Sequence, residues 1–308
     1  MTNLPKSRAW IPLVVLAAHS GWAMYPVLNK VLLAHLPPFT LLMVANSLAL
    51  AAAFFISRPY LSSALFRSRA LWVFALVTAA RSITNILAIK YTLAIYVQLI
   101  NLSTPFYVVW MGRVLLKEKV PPYTLPALAL SSLGAYLVIS PDPISLQLPR
   151  GSTDLLGIAL ALVSSAFLGL YMTWARKMTT RDAHPAAVYL QQTLTLVILY
   201  VCLSQLSGED WGLLLEQPLQ VWLGIAALVL IVLVGAALLQ IWALSVVNAA
   251  LFSTLISWRL VVALIAAWPL LGERLVSVWQ VGGSLLVMVT VTCYLAYQAL
   301  HVRKLERA

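Results

Sequence analysis

Apolar runs of about 20 residues recur along almost the whole chain, beginning at Trp10 and separated only by short polar breaks. A run of that length matches the hydrocarbon thickness of a bilayer when coiled as a helix. In lipid the backbone must satisfy its own polar groups, so only helices and closed barrels can span. Barrel strands would read as segments of about 10 residues with strict alternation. The runs here are twice that length and do not alternate, so they predict helices. Candidate spans are Trp10–Leu33, Phe39–Ser57, Ala70–Ile89, Leu93–Leu116, Tyr123–Ser140, Leu155–Ala175, Pro185–Leu206, Val221–Leu244, Ala249–Leu271 and Val276–Leu300. Pro37-Pro38, Arg58-Pro59, Pro121-Pro122, Pro141-Asp142-Pro143 and Gly208-Glu209-Asp210 mark the breaks. The expected class is therefore an all-α integral membrane protein with ten transmembrane helices.

Composition agrees. Hydrophobic residues make up 62% of 308 positions and charged residues 9%, whereas a soluble domain carries about 25% charged residues. The net charge of +11 could suggest phosphate or nucleic-acid binding. The basic residues instead sit between apolar runs, where the positive-inside rule puts them, so no nucleic-acid partner is expected. With the N-terminus inside, Lys6, Arg8, Arg58, Arg67, Arg69, Arg113, Lys117, Lys119, Arg176, Lys177, Arg181, Arg303, Lys304 and Arg307 are cytoplasmic, against Arg150 and Arg274 outside. That bias predicts a multi-pass protein of a bacterial-type inner membrane with both termini cytoplasmic. The first run has no small-residue cleavage site and reads as a retained helix. Cys202 and Cys293 both fall in apolar runs, so neither a disulfide framework nor a metal site is expected.

Ten spans divide at the polar interval Pro141–Asp154 into residues 1–143 and 144–308. Five helices per half is an odd number, so the halves must lie in the membrane in opposite orientation. Such inverted repeats place a carrier's site near the midplane.

The halves also share a pattern. Ala94–Glu118 ends in Lys117-Glu118-Lys119, and Ala249–Glu273 ends in Gly272-Glu273-Arg274. Each is a long apolar helix closed by an acidic and a basic residue before a further apolar helix. Leu271-Gly272-Glu273, Pro105 in the first half, Gly134, and Gly282-Gly283 complete a pattern that resembles the paired EamA-type repeats of the drug/metabolite transporter superfamily. The first half departs from it at Leu116-Lys117-Glu118, and Leu260 stands where a second proline would match. The resemblance implies a ten-helix carrier whose cavity is lined by helices 1, 3, 4, 6, 8 and 9, with helices 5 and 10 peripheral. It implies no particular substrate.

Polar residues inside the runs point to a cavity independently. An ionised group at mid-membrane costs about 2.5–3.5 kcal/mol on insertion scales and so faces protein or water. Helical spacing puts His19, Trp22, Pro26 and Asn29 on one face with Tyr25 beside them. It aligns Thr78, Arg81 and Asn85, then Ala94, Gln98, Asn101 and Pro105, then Asn248, Phe252, Leu255 and Arg259; Gln240 lies deep in the eighth run. Arg81 and Arg259 sit near mid-span, one in each half. Either they hold an anionic substrate through the guanidinium fork, or they tie down carbonyls and amides as structural groups. Lys90, near the outer end of the third run, is an ordinary snorkelling residue or part of an anion funnel.

All nine carboxylates fall in loops, ends or tails. A cavity with arginines and no acid suits a small organic anion or zwitterion better than a cationic drug, and it lacks the usual proton relay. His19 is a titrating group or a hydrogen-bonded structural one. Trp22 and Tyr25 could line the site, while Tyr171 and Trp174 suit either a gate or an anchor. The small residues of helices 5 and 10 suit close packing within the monomer or in a homodimer. No phosphate-binding loop, GxSxG or HExxH occurs, so a carrier without ATP, enzyme activity or cofactor is expected. An exporter of amino acids or neutral drugs with structural arginines is the alternative; an intramembrane enzyme or a scaffold is more remote.

Overall fold

The computed structural model describes residues 10–60, 69–91, 97, 100–101, 103–117, 120, 122–139, 152–181, 183–271 and 277–307. Regular structure among these residues is entirely helical. In chain order the helices are α1 (Ile11–Leu32), α2 (Pro38–Ser57), α3 (Arg69–Tyr91), α4 (Thr104–Met111), α5 (Thr124–Ile139), α6 (Ser152–Arg181) and α7 (Pro185–Leu206). They are followed by α8 (Leu219–Val246), α9 (Ala249–Thr254 together with Trp258–Leu271) and α10 (Val278–Arg307). Among the described residues six helices are long and apolar enough to cross a membrane, and shorter apolar helices accompany them.

Three local departures from a plain helix matter for the site. Helix α8 carries a π-helical stretch, Leu228–Ala236, in its middle. Tyr189 of α7 donates its hydroxyl to the Leu233 carbonyl within that stretch at 2.7 Å. Helix α4 runs into a π-turn, Gly112–Leu116, closed by Lys117 at φ 55°. Helix α9, expected to be continuous, is Ala249–Thr254 and Trp258–Leu271 joined by a 3-10 turn, Leu255–Ser257. The cause is local. Ser253, Thr254 and Ser257 donate their hydroxyls to the carbonyls three residues back, a competition that weakens a helical ladder. Asn248 caps the helix by accepting from the Ala250 N–H at 2.8 Å and so belongs to the cap, not to a shared face with Arg259.

Packing pairs α3 with α6, α8 with α1, α4 with α6, α9 with α1, α2 with α7, and α5 with α10. Close approach at α1 and α8 depends on Gly21, where a Cβ would stand 2.7 Å from the Ala236 Cβ. At α5 and α10 a Cβ on Gly134 would meet the Gly283 carbonyl at 3.0 Å. The expected small-residue face of α5 is thus used within the chain, which leaves the homodimer expectation without support.

Both ends of the bundle are tied. At one end Glu209 accepts from the N–H groups of Phe39 and Thr40 at the start of α2, at 3.2 and 2.6 Å. A carboxylate there meets the orphan donors and positive end of the helix. At the other end Arg176 of α6 donates to the Leu244 and Ser245 carbonyls at the close of α8, at 2.9 and 2.8 Å. Trp174 donates to the Ala70 carbonyl at 3.0 Å, and Trp10 stacks on Trp242 with ring centres 4.7 Å apart.

Candidate functional site

A polar cavity occupies the middle of the bundle and extends toward the Glu209 end. It has two arms that share Trp22, Tyr25, Arg81 and Asn85. The first arm adds Pro26, Ile89, Val97, Asn101, Ser164, Leu168 and Arg259, and leaves about 40 Å³ for the centres of water-sized molecules. The second runs between α2 and α7, past Asn46, Ser82, Gln192, Thr193 and Tyr200, and leaves about 30 Å³. Either volume is ample for water, which needs about 10–15 Å³ on this measure.

Arg81 sits at the fork. Its guanidinium carbon lies 5.3 Å from the centre of the Trp22 ring and 5.1 Å from that of Tyr171. Cation–π contacts of this kind hold a guanidinium without using its N–H donors. Among the described residues no carboxylate and no other acceptor meets those donors. Asn85, one turn along α3, lines both arms and its carboxamide likewise has no protein partner there.

Arg259 is held differently. It is 7% exposed, and its Nε–H donates to His19 Nδ1 at 2.9 Å, while one terminal nitrogen lies 3.4 Å from Gln240 Oε1. His19 Nε2, bearing the ring proton, donates in turn to the Phe252 carbonyl at 2.9 Å. The His19 and Phe252 rings are in contact, with centres 4.4 Å apart. This chain spans α1, α8 and α9 and fixes the guanidinium against the Trp22 ring, 5.7 Å from its centre. Arg259 therefore borders the first arm with part of its hydrogen-bonding capacity already engaged.

Of the residues singled out in the sequence, Trp22, Tyr25, Arg81, Asn85, Asn101 and Arg259 line the cavity. Asn101 accepts from the Ser165 hydroxyl at 3.0 Å, which ties it to α6. His19, Gln240, Phe252 and Tyr171 stand behind the wall as supports. Tyr171 is fully buried, stacks on Phe74 at 5.3 Å and donates to Gln192 Oε1 at 2.6 Å. Trp174 lies at the Arg176 end with Lys177 over its ring, and Lys90 is exposed at the end of α3 beside Tyr91; neither lines the cavity. Gln98, Glu118 and Glu273 lie outside the described residues.

The second arm went unread in the sequence. Helices α2 and α7 are not among those the resemblance places at a cavity, yet they supply Asn46, Gln192, Thr193 and Tyr200. The spacing Gln192, Leu196, Tyr200 marks one face of α7, and Asn46 is the one carboxamide of α2, beside Ser47 in a mostly apolar helix.

The buried Trp22 indole N–H has no hydrogen-bond partner among the described residues. Buried donors are rarely left unmet, and this one belongs to the ring that both arginines flank.

Comparison with known proteins agrees with this architecture. The chain is similar in fold to a solved crystal structure at a TM-score of 0.74, with 17% identity over 97% of this chain and 100% of that one. At that identity the likeness speaks for the fold alone. No curated relative matches the sequence. The model of the EamA-like transporter family matches twice, over residues 8–140 and 155–296. With nearly all of its length covered by two copies of that model, the chain belongs to the EamA-like transporter family, within the drug/metabolite transporter superfamily.

Proposed function

We propose that this protein is a secondary carrier that binds a small organic anion or zwitterion at Arg81 and moves it by alternating access, through exchange or facilitated diffusion. The observation that carries the reading is the guanidinium of Arg81, lodged between Trp22 and Tyr171 at the fork of the cavity with no acceptor among the described residues. A guanidinium with its planar fork free suits a carboxylate or phosphate. Asn85 and the Trp22 indole N–H add donors beside it. Arg259 reads as a positioning group, held by His19 and Gln240, whose charge favours an anion in the first arm.

The carrier is read as ten spans in two inverted five-helix halves, residues 1–143 and 144–308. Two matches to one family model support this division. So does the packing: exchanging each helix for the one five later turns the α3–α6 pair into α8–α1 and α4–α6 into α9–α1, and returns α2–α7 and α5–α10 to themselves. The positive-inside bias puts both termini and the Arg176 end in the cytoplasm, and a bacterial-type inner membrane is the setting proposed. The cavity then extends outward, while Arg176, Trp174 and Trp10 close the cytoplasmic end. An exporter of neutral solutes with structural arginines remains the rival, favoured only by the bonds of Arg259.

Uptake into proteoliposomes, with a panel of carboxylates, phosphates and amino acids, tests the reading. A transported anion should lose ten- to a hundredfold in affinity on Arg81→Gln, the size of a charge-assisted hydrogen bond of about 1.5–3 kcal/mol. Arg81→Lys should restore only part of it. Wild-type affinity in a stable Arg81→Gln protein would end the anion reading.

A further inference from the structure

The two arms differ in chemistry. The first holds Arg259 beside Arg81, whereas the second is lined beyond Arg81 by uncharged groups alone. Asn46 and Gln192 are 3% and 4% exposed, and both lie in this second arm. Asn46 Nδ2 donates to the Leu42 carbonyl at 2.7 Å, so its Oδ1 is left as an acceptor. Tyr171 donates to Gln192 Oε1 at 2.6 Å, which leaves the Gln192 NH2 as a donor. Neither remaining atom has a protein partner among the described residues. The hydroxyls of Ser82 and Tyr200, which also line the arm, bond to each other, and Leu42, Leu196, Leu233 and Ala237 supply its apolar lining.

Both residues line the arm, and a ligand that displaces water from the free oxygen and nitrogen must meet those atoms itself or lose affinity. An apolar substituent would leave both unmet. A second anionic group would face the Asn46 acceptor, and an ammonium group would find no carboxylate among the described lining residues. A carboxamide offers one donor and one acceptor and satisfies both.

Resting on the reading of Arg81 as the anion site, we propose that the arm between α2 and α7 is a specificity pocket for an uncharged hydrogen-bonding group. The solute is then a monoanion with a neutral polar end, its charge at Arg81 and its amide-like group between Asn46 and Gln192. A site built to hydrogen-bond its ligand discriminates strongly against an analogue that lacks the group.

The test uses the purified full chain and thermal-shift titration with malonamate, succinamate and glutaramate. Each is compared with the acid of equal length ending in isopropyl, with the dicarboxylate, with the ammonium-ended amino acid and with the diamide. At least one acid amide should bind ten times or more tighter than its isopropyl, dicarboxylate and ammonium counterparts. In Gln192→Met, or in Asn46→Leu if that variant folds better, the ratio of acid amide to isopropyl acid should fall towards one. Equal or tighter binding of the isopropyl acid, the dicarboxylate or the amino acid overturns the specificity pocket while leaving the anion site standing. A diamide that binds as well as the acid amide instead removes the anion site on which the pocket rests. No shift with any acid amide in the wild-type protein also overturns the proposal.

Discussion

Arg259 and His19 are joined by a single 2.9 Å hydrogen bond in which the guanidinium Nε–H donates to the imidazole Nδ1. The bond fixes the tautomer: with Nδ1 accepting, Nε2 carries the proton that goes to the Phe252 carbonyl. His19 is thus the group that lets a guanidinium reside in the interior, and its removal should be felt first by the fold. His19→Ala should destabilise the protein by about 1–3 kcal/mol, the cost of a buried polar group left unmet. Thermal unfolding in detergent measures it. A melting temperature equal to wild type would show that Arg259 does not depend on the bond.

Arg81 and Arg259 should separate in one experiment. Arg259→Gln should lower the melting temperature more than Arg81→Gln, because the Arg259 guanidinium hydrogen-bonds to side chains of both α1 and α8, whereas that of Arg81 has no such bond among the described residues. Arg81→Gln should cost more affinity for any anion bound. Equal effects of the two substitutions on both readouts would contradict the division of roles.

Glu209 tests whether the loop between α7 and α8 helps hold α2. Glu209→Ala removes the acceptor for the Phe39 and Thr40 N–H groups and for the Thr40 hydroxyl. A lost N-terminal cap costs about 0.5–2 kcal/mol. The expected outcome is a lower melting temperature of that order, and an unchanged one would mean that water caps α2 equally well.

The glycines provide an internal control. Gly21→Ala puts a Cβ 2.7 Å from the Ala236 Cβ and 3.1 Å from the Ile231 carbonyl, neither on a flexible side chain. Overpacking of that kind costs about 1–3 kcal/mol. A Cβ on Gly282 meets nothing within 4 Å, so Gly282→Ala should be neutral or slightly stabilising. Reversal of that order in thermal unfolding would contradict the α1–α8 contact.

His184, just before α7, gives a pH dependence. Its Nδ1 accepts from the Ala186 N–H at 3.3 Å, its ring stacks on Tyr60, and burial holds its pKa below the ordinary 6.5. The folded state therefore favours the neutral ring. The stability it contributes is complete above pH 6.5 and is lost as pH falls through the lower folded value. Melting temperature followed from neutral to mildly acidic pH should decline more in wild type than in His184→Asn, which caps without titrating. Parallel curves would remove the effect.

Helix positions were legible because lipid enforces them: α7 has the bounds its apolar run predicts, and α1 and α2 agree within a residue at each end. Helix α6 extends to Arg181, past the expected Ala175, because hydropathy marks where lipid ends rather than where a helix does. Arg81 and Asn85 were legible as a pair since they share a face one turn apart. The break in α9 was not, because it arises from hydroxyls bonding back to their own carbonyls, which an apolar run does not display. Gln192 and Asn46 escaped notice for another reason. Asn46 is the one carboxamide of a mostly apolar helix, Gln192 sits in a polar run with Gln191 and Thr193 that does not mark which of them faces inward, and the contact of α2 with α7 brings the two to one arm.

Tyr171 links the two arms. Its ring supports Arg81 and its hydroxyl holds Gln192, so a shift of that one side chain alters both. Substitutions at Arg81 and Gln192 should therefore be non-additive, with a double-mutant coupling that Tyr171→Phe reduces by freeing the amide while keeping the ring. On the proposed reading, the two ends of the solute are not weighed separately. Occupancy of one is part of the binding constant of the other.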